Sequence, residues 1–362
     1  MTTQPVNIGI IGAGNISSIY LESPIKFKNL NVVGVADIDM VRAKAQGEKY
    51  GVPAMTVEDL LANPEVEIII NLTVPLAHGQ VALRALEAGK NVYTEKPLAY
   101  DKSEATRMLA LAKEKGLLVG GAPDTFMGGG LQTCRKLIDN GEVGQPVAGV
   151  AHMLSRGMES WHPNPDFFFQ RGGGPMFDIG PYYLTAFVSL FGPAKSVVGG
   201  ARITHAERTI TSQPLNGTKI QVNVPTTVMG VIEFVNNAMA TVIMTWDVAE
   251  GYTPRLEVYG TKASLICPDP NTFGGPVKLR RAGEKEWSEI AVEHGWIQNS
   301  RGLGVADMAH ALRSGKPFRA NGAMASHVLE MMHAFHESAE TGRRIDLTTT
   351  CEQPEPLPIG WS

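Results

Sequence analysis

The 362-residue sequence predicts an α/β protein in which a doubly wound parallel sheet is followed by a second α/β domain on a largely antiparallel open sheet. Three observations predict it. Short β-branched runs alternate with amphipathic segments over the first third of the chain, a proline and glycine cluster then interrupts the alternation, and longer strand patterns follow. A length prior of about one domain per 150 residues gives two domains. We assign residues 1–123 to the first and 124–362 to the second.

The strands expected in the first domain are Val6–Ile11, Asn31–Ala36, Glu67–Asn71, Asn91–Tyr93 and Leu117–Gly120. Between them helical periodicity covers Met40–Tyr50, Val57–Ala62, Leu76–Ala88 and Lys102–Lys115, with Gly51, Gly89 and Gly116 as stop signals. After Pro123 and the glycine cluster, a helix is expected over Leu131–Asn140, closed by Gly141. Thr226–Phe234 and Ala238–Trp246 are strands joined by Asn236 and Asn237, residues suited to a tight hairpin. Val305–Arg313 and Ala325–Ala339 are helical, and the tail from Pro354 is extended.

Composition excludes several classes. Apolar residues make up 43% and charged residues 19%, so the chain buries a large core. A formal net charge of -4 is too balanced for a nucleic-acid surface. Cys134, Cys267 and Cys351 are odd in number and form no C-x-x-C pair, against a disulfide framework or a zinc site and in favour of a reducing cytoplasm. The opening MTTQPVNIGI carries no basic segment ahead of its apolar run, so no secretory signal is expected. No apolar stretch reaches the ~18 residues of a membrane span, and no membrane association is expected.

Chemistry enters at the end of the first strand, where Gly12-Ala13-Gly14-Asn15-Ile16-Ser17 places G-x-G between a strand and a helix. Gly12 permits a sharp turn, Gly14 lets a pyrophosphate approach the backbone, and a following helix offers free N–H groups and a positive dipole end. Ser17 stands at the third glycine position, which governs helix–strand packing. Asp37, ending the second strand, lies where a carboxylate accepts hydrogen bonds from an adenine ribose and repels a 2′-phosphate. NAD is therefore expected, with NADP the alternative because Arg42 is near; a helix N-cap is the other reading of Asp37. Thr73-Val74-Pro75 with His78, and Glu95-Lys96-Pro97, follow the next strands at the carboxyl ends where open α/β sheets bind ligands.

These segments, with the later GGGPMFDIGPYYL run, occur in the order and spacing of the Gfo/Idh/MocA oxidoreductase family, which the chain resembles over nearly its whole length. The resemblance implies an N-terminal Rossmann domain, a C-terminal α/β domain with an open antiparallel sheet, and hydride transfer between NAD(P) and a sugar, cyclitol or related polyol. It implies that Lys96 contacts substrate and nicotinamide and that Asp178 is the acidic residue of the second-domain motif. Family members resembling inositol dehydrogenase carry histidine four residues after that aspartate, where this sequence has Tyr182. Members resembling glucose-fructose oxidoreductase and dimeric dihydrodiol dehydrogenase carry tyrosine there. A tyrosine has the chemistry for the proton: its pKa is about 10, and a neighbouring ammonium lowers it toward operating pH. Tyr183 is the competing phenol.

Arg156 and the loop Trp161-His162-Pro163-Asn164 supply further substrate-site candidates: Arg156, Asn164 and His162, the last also an alternative proton carrier. His327, Glu330, His333 and His336 are spaced by threes, but the series drifts around a helix, and no metal site is expected. In the hairpin, Val228, Ile232 and Phe234 alternate with Met229 and Val231, so both sheet faces carry apolar side chains and the chain is expected to form a homodimer or homotetramer through this sheet. Two other functions share the same nucleotide site: redox-assisted glycoside cleavage with recycled NAD, and a noncatalytic nucleotide-sensing regulator.

Overall fold

The computed structural model describes residues 4–249, 251, 253 and 255–361. The chain divides into two compact units, one running to Met127 and taking in Asn299–Leu329 and Trp361, the other made of Gly128–Gln298 and Glu330–Gly360.

In the first unit the described strands are β1 (Val6–Ile11), β2 (Leu30–Ala36), β3 (Ala54–Met55), β4 (Ile68–Asn71), β5 (Asn91–Thr94) and β6 (Val119–Gly121). All pair in parallel in the order β3-β2-β1-β4-β5-β6, the doubly wound dinucleotide topology. The five expected strands are present within two residues, and β3 is the addition, too short to show an alternation of its own. Ile8, Ile10, Ile68, Ile69 and Ile70 are fully buried, as strands covered on both faces require. The helix expected over Leu76–Ala88 begins instead as a 3-10 turn at Pro75–Ala77 and becomes α-helical at His78–Glu87.

The single cut expected after residue 123 does not include the return of the chain over Asn299–Leu329. That return is fastened by polar groups distant in sequence. The Asp124 carboxylate accepts from the Gly302 and Gly304 amides at 2.9 and 3.0 Å, capping the helix Leu303–Ser314. Arg313 then forks onto Glu67 at 2.6 and 2.7 Å.

In the second unit the strands are β7 (Pro146–Leu154), β8 (Ala194–Arg202), β9 (Glu207–Thr209), β10 (Lys219–Gln221), β11 (Thr227–Phe234), β12 (Met239–Thr245), β13 (Leu256–Gly260), β14 (Ala263–Cys267), β15 (Val277–Arg281), β16 (Ser288–Ile290) and β17 (Ile345–Asp346). Among the described residues nine of them form one sheet in the order β16-β15-β14-β13-β7-β12-β11-β8-β17, antiparallel except for β7 beside β12. The β11–β12 hairpin turns at Asn236 and Asn237, and Asn237 holds a φ of 69° that asparagine tolerates. Every residue of the helix Gly180–Phe191 is buried, including Phe187 and Phe191, which meet Phe234 of β11 at ring distances of 6.0 and 5.2 Å.

The helix Gly322–Thr341 passes from one unit into the other at Leu329–Glu330. Glu330, 6% exposed, accepts from the Thr348 and Thr349 amides at 3.0 and 2.7 Å and from both hydroxyls. Burial alone would raise its pKa, but these donors outweigh burial and hold the carboxyl down to about 2, from an ordinary 4.5. A depressed carboxylate stabilises the fold fully above its unfolded pKa and loses that contribution as pH falls through the folded one. Glu330→Gln is therefore expected to lower Tm at neutral pH and to flatten its fall between about pH 5 and pH 2, read by calorimetry across that range. An unchanged pH dependence would show that the carboxylate's charge carries no stability.

Candidate functional site

The glycine turn after β1 has the geometry its residues require. Gly12 holds a φ of 108°, and a Cβ there would lie 2.6 Å from the Leu72 carbonyl, so both the dihedral and the space demand glycine. Beside Gly14 a Cβ would meet nothing within 4 Å, which leaves the backbone open to a ligand. Asn15 is exposed and Ile16 half-buried; Ser17 is fully buried, its hydroxyl donating to the Gly14 carbonyl at 2.6 Å. The helix that follows is only Ser17–Leu21, so anion binding there rests on free N–H groups more than on a long macrodipole.

Asp37 Oδ2 accepts from the Ala13 amide at 2.7 Å and Oδ1 from the Asp39 amide at 2.8 Å, which fixes the carboxylate beside the glycine turn. The helix Met40–Tyr50 is capped by Asp39, which accepts from Val41 N, so Asp37 is not its N-cap. Arg42 lies 3.3 Å from Asp39. A cavity of about 380 Å³ brings Gly12, Gly14, Asp37, Arg42 and Thr73 together, with Ile38 98% and Val74 66% exposed along it. These residues fit a dinucleotide: open glycine backbone for phosphates, a fixed carboxylate for a ribose diol, and exposed apolar side chains for a flat base. Pro75, His78, Glu95 and Lys96 do not line that cavity.

The loops after β4 and β5 are tied from below. Asn71, buried at the end of β4, accepts from the Thr73 hydroxyl at 2.7 Å and donates to the His78 carbonyl at 2.9 Å. His78 is 1% exposed, with Nδ1 2.6 Å from the Pro97 carbonyl and Nε2 2.9 Å from the Thr73 carbonyl. Glu95 is buried and accepts from the Tyr20 hydroxyl at 2.8 Å and from the Lys96 amide at 2.9 Å. Burial, then Glu95, pushes the Tyr20 phenol well above its ordinary range. Burial also raises Asp124 to about 6, with the Gly304 and Gly302 amides and Arg301 opposing and Glu95 adding. Sequence reasoning missed Tyr20 and Asp124, because neither belongs to a local motif.

In the second unit, Asp178 ends the short helix Pro175–Asp178 and is half-buried; Tyr182, in the first turn of Gly180–Phe191, is 7% exposed. Tyr183 is fully buried, and burial, together with Asp269, pushes its phenol up to about 12 against the opposing Arg255. That moves the competing phenol away from operating pH. His162 is half-buried and accepts at Nδ1 from the Asn164 amide at 3.1 Å, which puts the neutral ring's proton on Nε2. Its ring lies edge-on to Trp161, Phe167 and Phe168 at 5.2 to 5.6 Å. Asn164 and Arg156 are exposed, and the Arg156 carbonyl accepts from Arg208. Beneath this loop, Arg208 is buried between Glu159 and Asp247, a charge network with no signature in the sequence.

The histidine series on the helix Gly322–Thr341 has other partners. Glu330 binds the two threonines, while His333 and His336 pack on Phe177 at ring distances of 5.0 and 5.4 Å. Burial, with His333 adding, lowers the His336 pKa to about 4. Among the described residues no group of three His, Cys, Asp or Glu side chains has metal-site geometry. Among them, too, no helix is long and apolar enough to cross a membrane.

Comparison with known proteins places these features. Residues 6–121 match the oxidoreductase family with an NAD-binding Rossmann fold, and residues 131–266 match the GFO/IDH/MocA C-terminal domain. The D-glucoside 3-dehydrogenase of Escherichia coli is 26% identical over 96% of this chain and 99% of its own. The 1,5-anhydro-D-fructose reductase of Ensifer adhaerens is 27% identical over 77% of this chain and 81% of its own. Bos taurus trans-1,2-dihydrobenzene-1,2-diol dehydrogenase is 29% identical over 56% of this chain and 62% of its own. Levoglucosan dehydrogenase, solved with NADH and L-sorbose, shares the fold at a TM-score of 0.81 and 21% identity, covering 96% of this chain and 100% of that one.

Asp37→Ser removes the carboxylate and, with it, the acceptor of the Ala13 amide in the glycine turn. It is expected to weaken NAD binding about tenfold and to raise relative NADP binding, read by titration of both nucleotides. If the unaltered protein already binds NADP more tightly than NAD, Asp37 does not select the ribose.

Proposed function

From a chain that belongs to the Gfo/Idh/MocA family of NAD-binding oxidoreductases, we propose the narrower activity of hydride exchange between NAD and a hydroxyl or carbonyl group of a sugar, cyclitol or related polyol. The observation that carries this reading is the match to a glucoside dehydrogenase over almost the full length of both chains.

In this reading Gly12, Gly14, Asn15 and Ile16 offer backbone to the phosphates and Asp37 takes the ribose hydroxyls, with Arg42 at the outer edge. Thr73, Pro75, Glu95 and Lys96 lie toward the nicotinamide. NAD, when bound, supplies the hydride acceptor or donor. Oxidising a secondary alcohol also requires its hydroxyl proton to leave, and Tyr182 is assigned that proton at its phenolic oxygen. Lys96 is assigned to steady negative charge at the reacting oxygen, and Asp178 is assigned as the acidic residue of the second-domain motif. His162, Arg156 and Asn164 are assigned to the substrate's other hydroxyls.

A second copy of the chain is proposed for the open face of the large sheet. Val198 on β8, Met229 and Val231 on β11 and Met239 on β12 are 49%, 46%, 40% and 54% exposed, and Val231 pairs with Val198. Their neighbours Val228, Ile232, Val242 and Met244 are fully buried on the opposite face. Such a contiguous apolar strip on a sheet face supports association. The buried, free state of all three cysteines supports a reducing, cytoplasmic setting.

Absorbance screening of NADH formation against aldoses, cyclitols and glycosides, with NAD and NADP in parallel, tests the substrate class. Tyr182→Phe is expected to lower kcat by about 10²-fold or more with nucleotide affinity nearly unchanged, whereas Lys96→Ala lowers both substrate affinity and kcat. Near-normal Tyr182→Phe turnover with an inactive His162→Ala would give the proton to His162 instead. NADH that forms once per site without net turnover would favour redox-assisted glycoside cleavage. Light scattering at micromolar concentration is expected to give a dimer or tetramer mass, and a monomer would remove the proposed sheet interface.

A further inference from the structure

His78 sits at the first position of the helix His78–Glu87, 1% exposed, with a carbonyl oxygen at each ring nitrogen. Carbonyls only accept, so both contacts can be hydrogen bonds only if the ring carries two protons. Burial pushes the imidazole pKa down, with the carbonyls of Pro97 and Thr73 opposing it. The charged groups facing the ring are Glu95, which favours the cation, and Lys96, which disfavours it. The helix N-terminus also disfavours a cation. At neutral pH the ring therefore has one N–H for two acceptors.

Geometry selects between them. The Nδ1 contact to Pro97 is the shorter, 2.6 against 2.9 Å. Thr73 is already fastened by Asn71, which accepts from its hydroxyl at 2.7 Å and its amide at 3.3 Å. The Lys96–Pro97 peptide has no N–H with which to anchor itself, because proline lacks one.

We propose that His78 is a positioning residue, its Nδ1–H donated to the Pro97 carbonyl so that the Lys96 loop is held to the end of β4. The proposal rests on the catalytic assignment of Lys96 above. Its consequence is an Nδ1–H tautomer, the minor form of a neutral imidazole free in water, with the Nε2 lone pair turned toward Thr73. Acidification protonates Nε2 and ties both loops to one ring.

The test begins with long-range ¹⁵N–¹H correlation spectra of histidine-labelled protein, the His78 signals being identified by their loss in His78→Asn. A protonated Nδ1 and an unprotonated Nε2 are expected at neutral pH, and a second protonation only well below the ordinary histidine range. An asparagine amide reaches the Nδ1 position and a glutamine amide the Nε2 position. His78→Asn is therefore expected to keep kcat within about threefold, and His78→Gln and His78→Ala to lose about tenfold with KM for NAD little changed. An Nε2–H tautomer in the unaltered protein overturns the proposal, as does equal loss in the Asn and Gln variants when their melting temperatures match. Where either variant melts lower, the tautomer of the unaltered protein decides. Full activity in Lys96→Ala would remove the catalytic reading, and the positioning role with it, even with the Nδ1–H tautomer in place.

Discussion

The first unit depends on the complete burial of its central parallel strands. Ile8, Ile10, Ile68, Ile69, Ile70, Val92 and Tyr93 have no exposed surface, so backbone polar groups along β1, β4 and β5 have only the ladder to pair with. Irregular backbone is admitted only past the strand ends. There the unpaired groups are taken by side chains: Asp37 accepts from Ala13, Asn71 joins Thr73 to His78, and Glu95 joins Tyr20 to Lys96. The carboxyl ends of an open α/β sheet are also where its ligands bind. One set of hydrogen bonds thus completes the fold and fixes the loops at the carboxyl ends of the sheet.

In the second unit the same demand is met by charge. Arg208, buried, donates to Glu159 in the loop ahead of Asp178 and to Asp247 just past β12, and its guanidinium lies 5.2 Å over the Phe169 ring. Burial would raise Asp247, but the hydroxyls of Thr204, Thr227 and Thr226 and the Arg208 charge outweigh it and hold the carboxyl low. Removing one partner would leave a buried charge unpaired, which typically costs about 3–5 kcal/mol. The loop carrying His162 is therefore built on a fixed base, while its outer residues Trp161 and Phe167, 64% and 50% exposed, remain at the surface.

The fold was largely legible because its signals are local. Glycine at a positive φ, strands of uninterrupted Ile and Val, and the Asn-Asn turn each follow from the steric needs of a few consecutive residues, and five of the first unit's strands follow from them. The G-x-G turn with Asp37 was legible for the same reason: a strand of fixed rise sets how far the carboxylate lies from the glycines. The family resemblance added Asp178 and Tyr182, which no periodicity singles out, and gave a role to Lys96, which its place after a strand had already marked.

Only the tertiary structure decided which partners those residues meet. The sequence presents Tyr182 and Tyr183 as adjacent phenols, and only the fold shows that Tyr183 is fully buried and its phenol pushed up to about 12. It presents four metal-capable residues at regular spacing, and folding gives Glu330 to Thr348 and Thr349 and stacks His336 on Phe177. It presents His78 as a residue near a proline, and only the approach of β5 to β4 sets Pro97 and Thr73 against opposite ring nitrogens. Sequence by itself determined most of the elements and the nucleotide turn, because short-range sterics and chemical type specify them, and its resemblance to a family implied the reaction class. Charge state, tautomer and pairing were decided by the fold, because they depend on desolvation and on atoms brought together from distant parts of the chain.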